Sequence, residues 1–113
     1  MTTHLGVTPA VWLIVTILAK ATDAQAQQVG NVQQGLKLAR DECAQCHLVV
    51  KAVGRSTNPD APTFEAIAKT PGMTSTALTA ALLTSHHNMP NIVIKGDDLN
   101  DVIAYILSLK ESN

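Results

Sequence analysis

Two cysteines and a histidine stand together at Cys43-Ala44-Gln45-Cys46-His47, and the 113 residues contain no other cysteine. Thiols at this spacing can each add across a vinyl group of one haem, and a histidine directly after them is placed to reach the iron from the same side. One short segment would then supply two thioether bonds, through Cys43 and Cys46, and a proximal axial ligand, His47. Two other chemistries use paired cysteines. A redox dithiol is expected beside a strand-helix-strand pattern, which this sequence lacks, and zinc needs a second ligand pair. His86 and His87 could complete such a set, but adjacent histidines lack the usual gap of about three to five residues. The spacing therefore favours one covalently attached haem.

The second informative stretch is His86-His87-Asn88-Met89-Pro90-Asn91. Pro90 disfavours helical geometry at Met89, so the thioether is offered from extended or turn-like chain. A thioether is a soft ligand that favours reduced iron and raises its potential, so His47 and Met89 form an axial pair suited to electron transfer. Core packing is the commoner use of methionine, but the polar neighbours of Met89 argue for a ligand. Met73 is its rival. It directly precedes a helix N-cap and lies only 26 positions after His47, which leaves less chain to cross to the opposite haem face. His86 or His87 at the iron would give bis-histidine ligation and a lower potential; surface exposure is expected for both.

These ligands need a domain around them, and 113 residues suffice for one. A core of that size gains from a covalently held apolar cofactor, the more so because Trp12, Phe64 and Tyr105 are the only aromatics. Residues 1–26 read as a secretory signal: an apolar run from Ala10 to Ala19, then a polar stretch ending Ala24-Gln25-Ala26, with cleavage predicted after Ala26. That leaves 27–113 as the domain. The apolar run is about ten residues, short of the roughly 20 that span a bilayer. Met1 to Gly6 holds no Lys or Arg, so an uncleaved leader acting as an interfacial anchor is the alternative. Covalent haem attachment fits export, because it implies maturation outside the cytoplasm; the expected location is the periplasm. From Gln27 onward seven Lys or Arg stand against eight Asp or Glu, with no block of like charge. Nucleic-acid binding has no electrostatic footprint here.

Helical periodicity supplies the elements. Val32, Leu36, Ala39 and Cys43 share one face of a helix N-capped by Asn31, with Gln33, Gln34, Lys37, Arg40 and Asp41 opposite. Gly35 inside that helix costs up to about 1 kcal/mol relative to Ala, which points to a close approach by another backbone. From Leu48 to Pro62 the period stops in a loop where Lys51 and Arg55 are either solvated or neutralise haem propionates. Short helices follow from N-caps at Thr63 and at Thr74 or Ser75, the first stopped by Pro71-Gly72 and the second ending around Ser85. The last helix, with Asp97 as N-cap, carries Leu99, Val102, Ile103, Ile106 and Leu109 in a stripe running to about Lys110. No strand pattern and no Gly-rich phosphate loop occurs, so the fold class is all-α, its terminal helices burying their stripes against each other.

Residues 29 to 110 resemble the class I cytochromes c, in particular the small soluble bacterial type with one haem. The resemblance rests on Cys43 to His47, the His87-Asn88-Met89-Pro90 stretch, the Gly35 and Tyr105 pair, and Ala61-Pro62-Thr63-Phe64. It implies the cytochrome c fold, three to five helices around one covalent haem c. In that family a glycine eight positions before the first haem cysteine packs against the C-terminal helix near an aromatic. Gly35 and Tyr105 match it, with Val102 one turn before. Ala39 stands where an aromatic is often found. The resemblance further implies that the Pro62 carbonyl orients His47 and tunes the metal from behind it, and that Met89 is the distal ligand.

A six-coordinate iron leaves no position for substrate, so the expected function is a monomeric electron carrier, not an enzyme, meeting its redox donor and acceptor transiently and with no membrane span in the mature form. The alternatives are a haem enzyme or gas or redox sensor in which Met89 is displaced and His86 or His87 acts as distal acid or base, and an electron-entry subunit of a larger complex.

Overall fold

Asn31 starts the first helix. Its side-chain oxygen accepts from the amides of Gln33 and Gln34 at 2.9 and 3.1 Å, giving partners to two of the donors that a helix start leaves unpaired. The computed structural model describes residues 30–86 and 88–110. The expected leader over 1–26, its cleavage point after Ala26, Trp12 and His87 lie outside the described residues.

Helix α1 (Val32–Leu38) passes directly into a π-helical turn at Ala39–Cys43, where the Ala44 amide donates to the Ala39 carbonyl at 3.0 Å. The period had predicted unbroken α geometry to Cys43. Such widened turns concentrate at functional sites, and this one ends on the first cysteine. Ala39 and Cys43 are both buried, while Gln33, Gln34, Lys37, Arg40 and Asp41 face solvent as the pattern requires.

After the loop, Thr63 caps α2 (Phe64–Lys69), accepting from the Ala66 amide at 3.1 Å. Pro71 and Gly72, the latter at φ 78°, follow its end. Helix α3 (Ser75–Leu83) is capped by Thr74, which accepts from the Ala77 amide at 3.2 Å. It stops at Leu83, short of the expected Ser85. Thr84 turns to extended backbone at φ −121°, ψ 144°, a geometry suited to a β-branched residue, while its hydroxyl donates back to the Ala80 carbonyl at 2.6 Å.

Helix α4 (Asp97–Ser108) corrects the reading of Asp97 as its cap. Gly96 holds that place at φ 58°, ψ −131°, a conformation most side chains avoid, and Asp97 and Asp98 lie in the first turn, where they complement the helix dipole. Val102, Ile103, Ala104, Tyr105 and Ile106 are all buried. This is wider than one stripe because α4 packs against α1, α2 and α3 in turn.

The crossing of α1 with α4 is the tightest junction. A methyl group on Gly35 would overlap the Asp101 carbonyl and come within 2.8 Å of Tyr105 Cβ, so the glycine is what lets the two backbones meet. Beside it the Asn31 amide donates to the Asp101 carboxylate at 2.6 Å. The described residues contain four α-helices and no strand, an all-α fold, and no helix among them is long and apolar enough to cross a membrane.

Candidate functional site

The π-helical turn delivers Cys43 into a tight fold-back. The Cys43 carbonyl accepts from the amides of Cys46 and His47 at 3.1 and 2.9 Å, which gathers both sulfurs and the imidazole at the end of one helix. Cys43 is buried and Cys46 half-buried, and neither is in a disulfide. Burial pushes the Cys43 thiol up to about 11, and the neighbouring Glu42 charge acts in the same direction. Burial and a neighbouring carboxylate are the reverse of the electropositive setting in which reactive dithiols are found. Among the described residues no three His, Cys, Asp or Glu side chains gather into a metal-binding cluster.

The loop that follows returns to the same place. Asn58 donates its amide to the Cys46 carbonyl at 3.1 Å, Ala61 to Asn58 at 3.1 Å, and Phe64 to Leu48 at 3.0 Å; the Leu48 amide donates to the Ser56 hydroxyl at 3.0 Å. These bonds bring the Pro62 carbonyl oxygen to 2.6 Å from His47 Nδ1. A carbonyl only accepts, so Nδ1 carries the hydrogen and the imidazole lone pair is on Nε2, the nitrogen a metal would take. The Phe64 ring lies against His47 with centroids 5.4 Å apart, and Tyr105 lies behind Phe64 at 6.4 Å. The Tyr105 hydroxyl donates to the Val49 carbonyl at 2.6 Å, fixing the loop to α4.

These groups surround a cavity of about 320 Å³. Its wall includes Cys43, Cys46, His47 and Pro62 on one part, Phe64, Ile67, Leu78, Leu82, Ile92 and Ile106 as the apolar surface, and Met73, His86 and Met89 as further donors. The expected ligand and both of its described rivals therefore share one wall. His86 departs from the surface position predicted for it: it is half-buried, with Nδ1 3.0 Å from the Thr84 carbonyl. The early end of α3 explains this, because the chain turns at Thr84 and the Met89 amide closes back on the His86 carbonyl at 3.2 Å. Lys51 and Arg55 are exposed and do not line the cavity.

The charged residues of the wall are two carboxylates, Glu42 and Asp60. Neither was singled out by the sequence, and no local pattern marks them. The packing of Phe64 on His47 was also missed, although its place directly after the Thr63 cap was visible. Small-molecule and cofactor sites are mostly apolar with a few placed polar groups, and this wall has that character. Two thiols at attachment spacing, an imidazole held in the metal-binding tautomer, and a soft sulfur donor on an apolar wall fit a covalently held haem.

The chain is 31% identical over 97 residues to cytochrome c-552 of Bradyrhizobium diazoefficiens, a match covering 86% of this chain and 92% of that protein. No family model matches the chain, and no solved structure matches it significantly.

Proposed function

Given that this chain belongs to the c-type cytochromes, electron carriers with covalent haem c and the cytochrome c fold, we propose that it shuttles single electrons between periplasmic or membrane redox partners through a His47/Met89-ligated haem. The supporting observation is the shared wall of one apolar cavity, on which the Cys43 and Cys46 thiols, the His47 imidazole and the Met89 thioether all appear.

The roles divide among the chain's own residues. Cys43 and Cys46 hold the haem covalently. His47 would bind the iron through Nε2, and the Pro62 carbonyl, which holds the ring at Nδ1, would raise its basicity. Met89 would supply the second protein ligand to the iron. Met73 is the weaker candidate because it already packs at the margin of the hydrophobic core and its amide is bound to the Thr70 carbonyl at 3.0 Å, directly before the α3 cap. Phe64, Ile67 and Ile106 exclude water from the site. The haem supplies the reversible ferrous-ferric change, and His/Met ligation sets it higher in potential than bis-histidine ligation does.

With His47 and Met89 both holding the iron, no open site would remain for a substrate. Docking is weak and transient, as befits a carrier that must leave its partner after each electron. Residues 1–26 direct export and are removed after Ala26; the intact mass of the isolated protein tests this.

The decisive measurement is the optical spectrum, oxidised and reduced. The weak far-red sulfur-to-iron charge-transfer band is expected in the oxidised protein, is expected to vanish in Met89→Ala, and is expected to persist in Met73→Ala. Loss of the band in the Met73 variant, or its absence from the wild type, would overturn the ligand assignment.

A further inference from the structure

His47 and His86 are held in the same way. Each lies on the cavity wall, and each has Nδ1 against a backbone carbonyl oxygen, Pro62 at 2.6 Å and Thr84 at 3.0 Å. In both rings the carbonyl fixes the hydrogen on Nδ1 and the lone pair on Nε2, the form in which a neutral imidazole binds a metal. We propose that His86 is a reserve sixth ligand, taking the iron's distal position when the Met89 thioether leaves it. The inference rests on the assignment of Met89 as the resting ligand.

The chain around His86 suits such an exchange. Helix α3 ends at Leu83, and Thr84 is already extended, so His86 is not held in helical register. The Met89 amide and the His86 carbonyl are joined at 3.2 Å, so the two residues belong to one turn. Met73 is on the same wall but is committed to core packing next to the α3 cap.

The exchange balances simply. A neutral thioether leaves, a neutral imidazole enters with its Nδ1 hydrogen retained, and no proton or electron moves with them. Nitrogen is the harder donor, so the exchange favours the oxidised metal and lowers the potential. Its consequence is a site that stays closed to small ligands through either residue.

The test uses the holoprotein, first wild type, then Met89→Ala, then Met89→Ala/His86→Ala and Met89→Ala/Met73→Ala. Ferric absorption and electron paramagnetic resonance read the ligand set, and added azide reads whether the site is open. The expected result is the sulfur band in wild type, its replacement in Met89→Ala by a low-spin signature of two nitrogen ligands with a lowered potential, and retention of that signature when Met73 is also removed. Removing His86 as well should leave a high-spin iron that takes up azide readily, with haem content and far-ultraviolet circular dichroism showing the double variant folded. A wild-type spectrum without the sulfur band removes the premise and the reserve role with it. A wild type with the band but a high-spin Met89→Ala overturns the reserve role alone, as does a low-spin Met89→Ala that His86→Ala does not change.

Discussion

His47 Nδ1 lies 2.6 Å from the carbonyl oxygen of Pro62, across 15 positions of chain. The contact is held by backbone on the acceptor side, so a side-chain change at Pro62 loosens it without deleting the acceptor. Pro62→Ala frees φ at that residue and lets the carbonyl drift from the ring. With His47 as the proposed iron ligand, a weaker hydrogen bond makes it less basic and so a poorer stabiliser of oxidised iron. The potential should rise, by some tens of millivolts, since about 59 mV corresponds to a tenfold change for one electron. Protein-film voltammetry reads it; an unchanged or lowered potential would show that Pro62 does not tune the site.

Gly35→Ala sets two effects against each other. Alanine improves helix propensity by about 1 kcal/mol, but its methyl overlaps the Asp101 carbonyl, which belongs to another helix backbone and cannot rotate away. Overpacking typically costs about 1–3 kcal/mol and occasionally more, so packing wins. The variant should be less stable by roughly 2 kcal/mol in denaturant titration. A stabilised variant would mean that α1 and α4 can separate freely.

Tyr105→Phe removes the phenolic donor to the Val49 carbonyl, a bond between buried residues. Losing it should cost about 1–2 kcal/mol at neutral pH. Burial also holds the phenol above its ordinary value, with the Arg40 charge pulling weakly the other way. A phenol raised in the folded state contributes stability that is complete below the unfolded value of about 10 and is lost as pH rises through the folded one. The wild type should therefore lose stability more steeply at alkaline pH than Tyr105→Phe. Tyr105 is the only tyrosine, so a single labelled NMR resonance follows its ionisation, and parallel alkaline slopes would contradict the assignment.

Glu42 and Asp60 give the cavity wall a negative character although the chain as a whole carries a formal charge of only −1. Screening acts over about 10 Å at 0.1 M salt, so a partner docking at that wall feels these two carboxylates before the rest of the surface. Electron transfer with a cationic cobalt or ruthenium complex should slow as ionic strength rises, and with an anionic complex it should quicken. Glu42→Lys/Asp60→Lys should reverse both trends in stopped-flow measurements. Equal salt dependence in wild type and variant would place docking elsewhere.

What could be read from the sequence was whatever is local. The Asn31 cap, the buried face from Gly35 to Cys43 and the Thr63 and Thr74 caps all follow from residues within a turn or two of each other, and the structure holds them. The need for a close approach at Gly35 was legible too, because a mid-helix glycine has few other justifications. Three features were not. The cap at Gly96 depends on a positive φ that glycine permits but does not require. The inward place of His86 follows from α3 stopping at Leu83, and Thr84 and Ser85 could each have ended it. The bond from Tyr105 to Val49 spans 56 positions, and no local pattern reports a partner so far along the chain.

The junction of α1 and α4 also orders events in time. Asn31 and Asp101 are 70 positions apart, and every residue between them is synthesised before α1 can meet the helix that fits the groove at Gly35. Until then Ile106 is missing from the cavity wall and Tyr105 cannot hold the loop, so Cys43 and Cys46 lie on an open strand of polypeptide. The segment from Gly96 onward is thus the one that shuts the molecule, and a chain cut short before Gly96 would keep Cys43, Cys46 and His47 and have no α4 to close over them.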